Sequence, residues 1–303
     1  MEINTMNKFF TLFAFLFLFI TSAQAQTAPT MSASSTGTGL SLAPARVELE
    51  MKPGAETTVV VNLDYHSPGG TEQPTRIVAT LNDWDITKDG RVEFYKALTR
   101  PNSASSWLVY SPAETTVTPG NIHSIRVTVS VPQDATPGDH LTSLIIEQRP
   151  DTIKFNQSAR QVIVRYRMAT VFYIKVSGLT RRGTLANLQA ESSPKGIVIT
   201  PTLKNEGNSV IRPAASVKIA DSTGKIVAEV PGIEPLPVLA NSETSQPLLI
   251  KNVLPPGSYS VKYKIDFQDG SKATEGIVDL IVKDFSQEKR PQISSTAITI
   301  QKP

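Results

Sequence analysis

The sequence predicts an all-β fold of two tandem β-sandwich domains that follow a cleaved export signal. Short runs rich in β-branched residues recur from Leu42 to Val282, and Pro/Gly turns separate them. No amphipathic helical pattern interrupts these runs. Strands that alternate with turns, without helices between them, are typical of a sandwich rather than an α/β fold. With 303 residues, the chain is long enough for two domains that each have a core.

Residues 1–25 predict a secretory signal peptide. Lys8 gives the n-region its positive charge, and an apolar run of twelve residues follows at 9–20. Ala23 and Ala25 are small residues at the −3 and −1 positions of a cleavage site. Twelve helical residues span about 18 Å, short of a ~30 Å hydrocarbon core, so a cleaved signal is preferred to a membrane anchor. We therefore expect a periplasmic or envelope protein whose mature chain has no transmembrane segment.

The composition argues against several classes of function. The net charge is only +3 with scattered Lys and Arg residues, so no nucleic-acid partner is expected. The chain has no cysteine, which removes disulfides, thiol nucleophiles and thiolate metal sites. Its three histidines, His66, His123 and His140, belong to no catalytic or zinc-binding motif. The sequence thus predicts a protein that is not an enzyme, with no catalytic residues, no metal site and no cofactor.

An acidic stretch at 83–90 has some features of a calcium loop. Phe94 occupies the position where such a loop requires a bidentate acid. We therefore interpret Asp89 and Gly90 as the turn of a β-hairpin.

The first domain is predicted at residues 42–178, after a flexible linker rich in Thr, Ser, Ala and Gly at residues 26–41. Its clearest strands, which are rich in β-branched residues, are 59–63, 77–81, 124–131, 144–147 and 161–176.

The second domain is predicted at residues 183–284. Its strands are expected at 196–204, 215–220, 225–230, 246–252, 258–267 and 276–282. The strand number and turn spacing in both domains are typical of immunoglobulin-like sandwiches. A polar C-terminal tail at 285–303 completes the chain, and its segment 296–300 could pair with an open sheet edge.

Several motifs in residues 42–176 follow one another in a distinctive order. A strand at 43–49 comes first, then a Trp-Leu-Val-Tyr-Ser-Pro motif at 107–112, a Pro-Gly turn at 119–120 and an Ile-Arg-Val strand at 125–127. The series ends with Val-Phe-Tyr at 171–173. This order resembles the N-terminal domain of periplasmic pilus-assembly chaperones.

The resemblance implies a carboxylate-binding role for residues of the first and last strands. In that family a cleft Arg on the first strand and a Lys on the final strand hold the C-terminal carboxylate of a pilus subunit. Two fixed cations that face one carboxylate form charge-assisted hydrogen bonds. Arg46 stands at the Arg position and Thr170 at the Lys position, so Arg46 and Thr170 are the candidate carboxylate anchor.

The resemblance also implies that the final strand donates alternate apolar side chains into the subunit's open groove, a β-augmentation. In the family's register, Ile163 is the apolar member of the inserted set. Val162, Val164 and Tyr166 form a more apolar stripe on the other face, which a β-bulge would bring into phase. The donor-strand candidates are therefore Val162, Ile163, Val164 and Tyr166.

Two functions follow from these patterns. The first is a non-enzymatic, chaperone-like module that caps or delivers pilin- or adhesin-like subunits of a surface filament. The second arises because the two-module layout is also similar to surface proteins of Gram-positive bacteria that pair a peptidoglycan-binding immunoglobulin-like domain with a partner-binding one. It is a structural or adhesive envelope protein that binds a cell-wall polymer or a surface partner.

Overall fold

The computed structural model describes residues 39–66, 73–149 and 165–284. Within these ranges the elements are β-strands and one short 3-10 helix, Ser105–Trp107. The strands form four sheets, which pair into two sandwiches, so the predicted all-β fold is confirmed. In the described ranges no helix is long and apolar enough to cross a membrane. The predicted signal peptide (1–25) and polar tail (285–303) lie outside the described residues.

In the described ranges the first sandwich contains ten strands. They are β1 (Gly39–Ala43), β2 (Arg46–Met51), β3 (Glu56–His66), β4 (Thr75–Ile86), β5 (Val92–Lys96), β6 (Leu108–Ser111), β7 (Glu114–Val117), β8 (Ile122–Ser130), β9 (Gly138–Gln148) and β10 (Arg167–Val176). One sheet has the order β1-β3-β8-β6. The other has the order β2-β10-β9-β4-β5, with β7 beside β4. Strand β2 is therefore an edge strand.

The core of the first sandwich follows from the two-residue period of its strands. Val61 and Leu63 of β3 are fully buried, and so are Val127 and Val129 of β8, while the residues between them face outward. These side chains share one apolar cluster with Phe172 of β10 in the opposite sheet. Alternating strands on both sheets thus close a continuous core.

Two boundaries of the first sandwich differ from the predicted ones. Strand β1 begins at Gly39, inside the predicted linker 26–41, because Leu40 and Leu42 are buried and β1 pairs with β3. Residues 26–38 of that linker lie outside the described residues. The strand predicted at 161–176 begins, in its described part, at Arg167, with Tyr166 just before it.

The acidic stretch at 83–90 ends β4 and turns into β5, as the sequence predicts. Thr87 N–H donates to Arg91 O over 2.8 Å, and Gly90 takes a φ of 85°, which favours glycine. Asp83 is buried, and its carboxylate accepts the backbone N–H groups of Thr99 (2.8 Å) and Arg100 (2.9 Å). This carboxylate therefore holds the loop that follows β5.

The second sandwich contains eight strands. They are β11 (Gly183–Ser193), β12 (Gly196–Asn205), β13 (Ala214–Asp221), β14 (Ile226–Ile233), β15 (Ser242–Ser245), β16 (Leu248–Ile250), β17 (Gly257–Asp266) and β18 (Thr274–Val282). Strand β11 was not predicted from the sequence, because it is polar and contains a register shift between Leu185 and Asn187. That shift breaks the alternation on which strand prediction depends.

The two sandwiches belong to a single compact unit. An apolar cluster joins them: Trp84, Leu141 and Tyr173 from the first contact Val210 and Leu239 from the second. The Trp84 and Tyr173 rings meet edge to face, with centroids 5.0 Å apart. The junction is therefore packed like a small core.

We predict that Phe172→Ala lowers the free energy of unfolding by about 3–5 kcal/mol, because it leaves a cavity in the first core. Urea denaturation measures this loss. Val109→Ala is the matched control, since Val109 is 72% exposed and should change stability little. Equal losses in the two variants would contradict the described core.

Candidate partner-binding cleft

Arg46 is the first residue of edge strand β2. Strand β2 runs parallel to β10, with Arg46 opposite Val171, Glu48 opposite Tyr173 and Glu50 opposite Lys175. Paired residues of neighbouring strands share one face of the sheet. The Arg46 side chain is 55% exposed on this face.

Thr170 does not take part in this arrangement, which corrects the predicted anchor pair. It precedes Val171 and therefore points to the opposite face from Arg46. There it is fully buried, and its hydroxyl donates a hydrogen bond to Pro44 O over 2.8 Å. This hydrogen bond stabilises the turn between β1 and β2, and Thr170 cannot share a ligand with Arg46.

Three cations surround one carboxylate on the exposed face, and we call them the cationic cluster: Arg46, Lys175 and Arg212 around Glu48. Glu48 Oε2 lies 2.7 Å from Lys175 Nζ. Glu48 Oε1 lies 2.6 Å from Arg212 Nη2 and 3.0 Å from Arg46 Nε. Arg212 belongs to the second sandwich, so the cluster spans the cleft between the two sandwiches.

The charges of this cluster do not cancel. Burial by itself raises the pKa of Glu48, but the hydrogen bond from Lys175 and the charge of Arg212 outweigh burial and hold that pKa below its ordinary value. Glu48 is therefore ionised at neutral pH. The four side chains carry two positive charges in excess, and Glu234, which lines the same cleft, reduces the local excess to one.

An open pocket of about 420 Å³ gives solvent access to two of these cations. Its lining residues are two arginines, three prolines and three others: Arg46, Arg212, Pro213, Ala214, Glu234, Pro235, Pro237 and Gln268. Planar guanidinium groups match the geometry of a carboxylate and can bind it with two parallel hydrogen bonds. The pocket can therefore accept a carboxylate group.

Beside Arg46, strand β10 has an edge without a partner strand in the described residues. Val171 N–H donates to Ala45 O over 3.0 Å, and β2 covers β10 only from that point onward. From Arg167 to Thr170, β10 pairs with β9 alone among the described strands. In an antiparallel pair, alternate residues direct their main-chain groups away from the partner, so those of Arg167 and Ala169 face this edge.

The donor-strand candidates have different outcomes. Tyr166 is partly buried against the first core, on the same face as Met168. Val162, Ile163 and Val164 lie outside the described residues. Their role as donors stays a prediction.

Sequence reasoning missed two of the three cations, Lys175 and Arg212, and also the central carboxylate, Glu48. Lys175 carried a usable signal, because a lysine inside an apolar strand is seldom buried without a partner. Arg212 carried none: it lies 164 residues from Glu48 along the chain, and only the junction of the two sandwiches brings them together.

The histidines form no shared site in the described ranges. The His140 ring lies 4.3 Å from the Trp107 ring, and His123 Nε2 accepts the Thr118 N–H over 3.2 Å. Among the described residues, no group of three or more His, Asp or Glu side chains could hold a metal ion.

No family model and no curated protein matches this chain. Solved structures with 11–14% sequence identity do match it. A chain from a chaperone–tip adhesin complex of CFA/I fimbriae covers 81% of this chain and 100% of its own length, with a TM-score of 0.42 and 13% identity. A chain from the SafA pilin complex with the SafB chaperone of Salmonella enterica covers 81% and 99%, with a TM-score of 0.41 and 11% identity.

A third match comes from the CsuC–CsuE chaperone–tip adhesion subunit complex of Csu pili of Acinetobacter baumannii. It covers 81% of this chain and 100% of its own length, with a TM-score of 0.39 and 14% identity.

A second charged group, Asp139, lies at the junction beside the cluster. Its Oδ2 accepts the Val210 N–H over 2.6 Å, and its own N–H donates to Asn208 O over 2.8 Å. Burial raises the pKa of Asp139 above its ordinary value, although the hydrogen bond from Val210 favours the ionised form. Proton binding to Asp139 should therefore stabilise the folded junction.

We predict that Asp139 makes the protein less stable as pH rises. Because its pKa is higher in the folded than in the unfolded chain, its stabilising contribution is complete at low pH and is lost through the folded pKa. The unfolding free energy of the wild type relative to Asp139→Asn should fall as pH rises from the ordinary pKa of an aspartate, about 3.9, through the raised pKa of folded Asp139. Denaturant unfolding measures it, with Asp134→Asn, at an exposed position, as control. A difference that does not change with pH would contradict the role of Asp139.

Proposed function

We propose that this protein is an exported, non-enzymatic module that binds an extended segment of a secreted protein. The partner strand would add to the open edge of β10 at Arg167–Thr170, and its C-terminal carboxylate would bind at the cationic cluster. The observation that carries this proposal is the excess positive charge of the cluster, displayed in an open pocket at the point where the free edge of β10 ends.

Strand addition explains why the edge and the cluster lie together. Main-chain hydrogen bonds to β10 supply affinity that does not depend on sequence, and the carboxylate fixes where the added strand stops. Arg46 is opposite Val171, directly after the open stretch, so a strand that ends at Arg46 runs parallel to β10. Strand β2 already runs in that direction.

The class of partner follows from the motifs of the first domain. The resemblance of residues 42–176 to pilus-assembly chaperones favours a pilin- or adhesin-like subunit. Such subunits present an extended C-terminal segment with a free carboxylate, which is the chemistry that the cleft accepts. The protein would therefore cap or deliver a subunit in the periplasm.

We predict that Arg46→Ala weakens binding of a strand-forming peptide with a free C-terminal carboxylate by at least about tenfold, since a charge-assisted hydrogen bond is lost. The probe is acetyl-Thr-Val-Thr-Val-Thr-Val, measured by calorimetry as the free acid and as the C-terminal amide. The wild type should prefer the acid. Arg126→Ala, at an exposed position of β8, is the matched control and should bind like the wild type.

Equal binding of acid and amide by the wild type, or no binding of either, would overturn the carboxylate anchor. In that case, retention of the protein on isolated cell-wall polymer would favour the structural or adhesive alternative.

We also predict that the mature protein begins at Gln26. Intact-mass measurement of protein recovered from the periplasm should show loss of residues 1–25. Ala25→Asp should block processing, because the −1 position requires a small side chain. A full-length mass for the periplasmic wild type would contradict the cleaved signal.

A further inference from the structure

We infer that Glu48 is an internal substitute for the partner's carboxylate, and that it sets how strongly the cleft binds a partner. This inference rests on the proposed function. Glu48 occupies the cationic cluster when no partner is bound, and a partner's carboxylate competes with it for Arg46 and Arg212.

The geometry of Glu48 is that of a bound ligand. Each of its carboxylate oxygens accepts a hydrogen bond from one cation, Oε2 from Lys175 and Oε1 from Arg212, and Oε1 also forms an ion pair with Arg46. A chain-terminal carboxylate would seek these same donors. Glu48 thus supplies from within the chain the carboxylate that a partner's C-terminus would supply from outside.

The positions of the three cations show which contacts a partner can take. The Lys175 side chain is only 9% exposed, so its ion pair with Glu48 is the sheltered one. The side chains of Arg212 and Arg46 are 32% and 55% exposed, and both line the open pocket. A partner's carboxylate therefore meets the two arginines first and competes with Glu48 Oε1 for them.

Electrostatics predicts how the charge of Glu48 changes the affinity of the cleft for a partner's carboxylate. Two carboxylates within a few ångströms of each other repel, and the repulsion is stronger in a partly buried cleft than in water. With Glu48 and Glu234 both counted, the cleft keeps an excess of one positive charge, which favours a further carboxylate. Neutralising Glu48 should raise that excess to two and strengthen binding.

The test compares Glu48→Gln with the wild type, using acetyl-Thr-Val-Thr-Val-Thr-Val as the free acid and as the amide. Glu48→Gln removes the charge and keeps the side-chain shape, so it should bind the acid at least about fivefold more tightly, with the amide unchanged. Glu191→Gln is the matched control: Glu191 is exposed on β11, outside the cluster and its pocket, and its replacement should leave the acid affinity near that of the wild type.

A second variant keeps the inference testable if Glu48→Gln disturbs the junction of the sandwiches. Glu48→Asp retains the charge but shortens the side chain by one methylene, so its carboxylate reaches fewer of the three cations. It should bind the acid with an affinity between those of the wild type and Glu48→Gln. Circular dichroism and thermal unfolding report whether each variant is folded.

The outcomes separate this inference from the proposed function. If the wild type prefers the acid and both Glu48 variants bind it no more tightly than the wild type, Glu48 does not compete and the inference is wrong. If the wild type does not distinguish acid from amide, the proposed carboxylate anchor itself fails.

Discussion

The parallel pairing of β2 with β10 is the constraint on which the cleft depends. It sets Arg46 opposite Val171 and carries Glu48, two residues on, to the same face as Lys175 of β10. A shift of one residue in this register would turn Arg46 and Glu48 into the core and bring their uncharged neighbours to the cleft. The burial of Val47 between them and the hydrogen bond from Thr170 to Pro44 O hold the register in place.

The second constraint is the packed junction between the sandwiches. Removing Lys175 and Glu48 from water is costly unless each has a close partner of opposite charge. The apolar contacts of Trp84 and Tyr173 bring Arg212 to the cleft, and its guanidinium carbon lies 5.3 Å from the Tyr173 ring centroid. Apolar packing therefore positions Arg212 at the cleft, and the ion pair with Glu48 offsets the cost of burying Lys175.

Much of the fold could be predicted from the sequence because it depends on local patterns. Alternating β-branched residues and Pro/Gly turns marked most strands, whereas β11, which is polar and contains a register shift, lacked the pattern. Arg46 could be named as an anchor candidate because it lies within a short continuous motif, the strand at 43–49. Lys175 and Arg212 bond to Glu48 across 127 and 164 residues, and no local pattern encodes such contacts. Thr170 was paired with Arg46 in the predicted anchor, although the two side chains lie on opposite faces of the sheet, because a motif match does not reveal which way a side chain points.

The cleft draws its arginines from two different domains. Arg46 is among the first residues of the first sandwich, and Arg212 comes soon after the second sandwich begins, so neither domain alone can assemble the cluster. The cluster would thus form only after both domains had folded and docked. A molecule in which one domain alone had folded would therefore lack the assembled site.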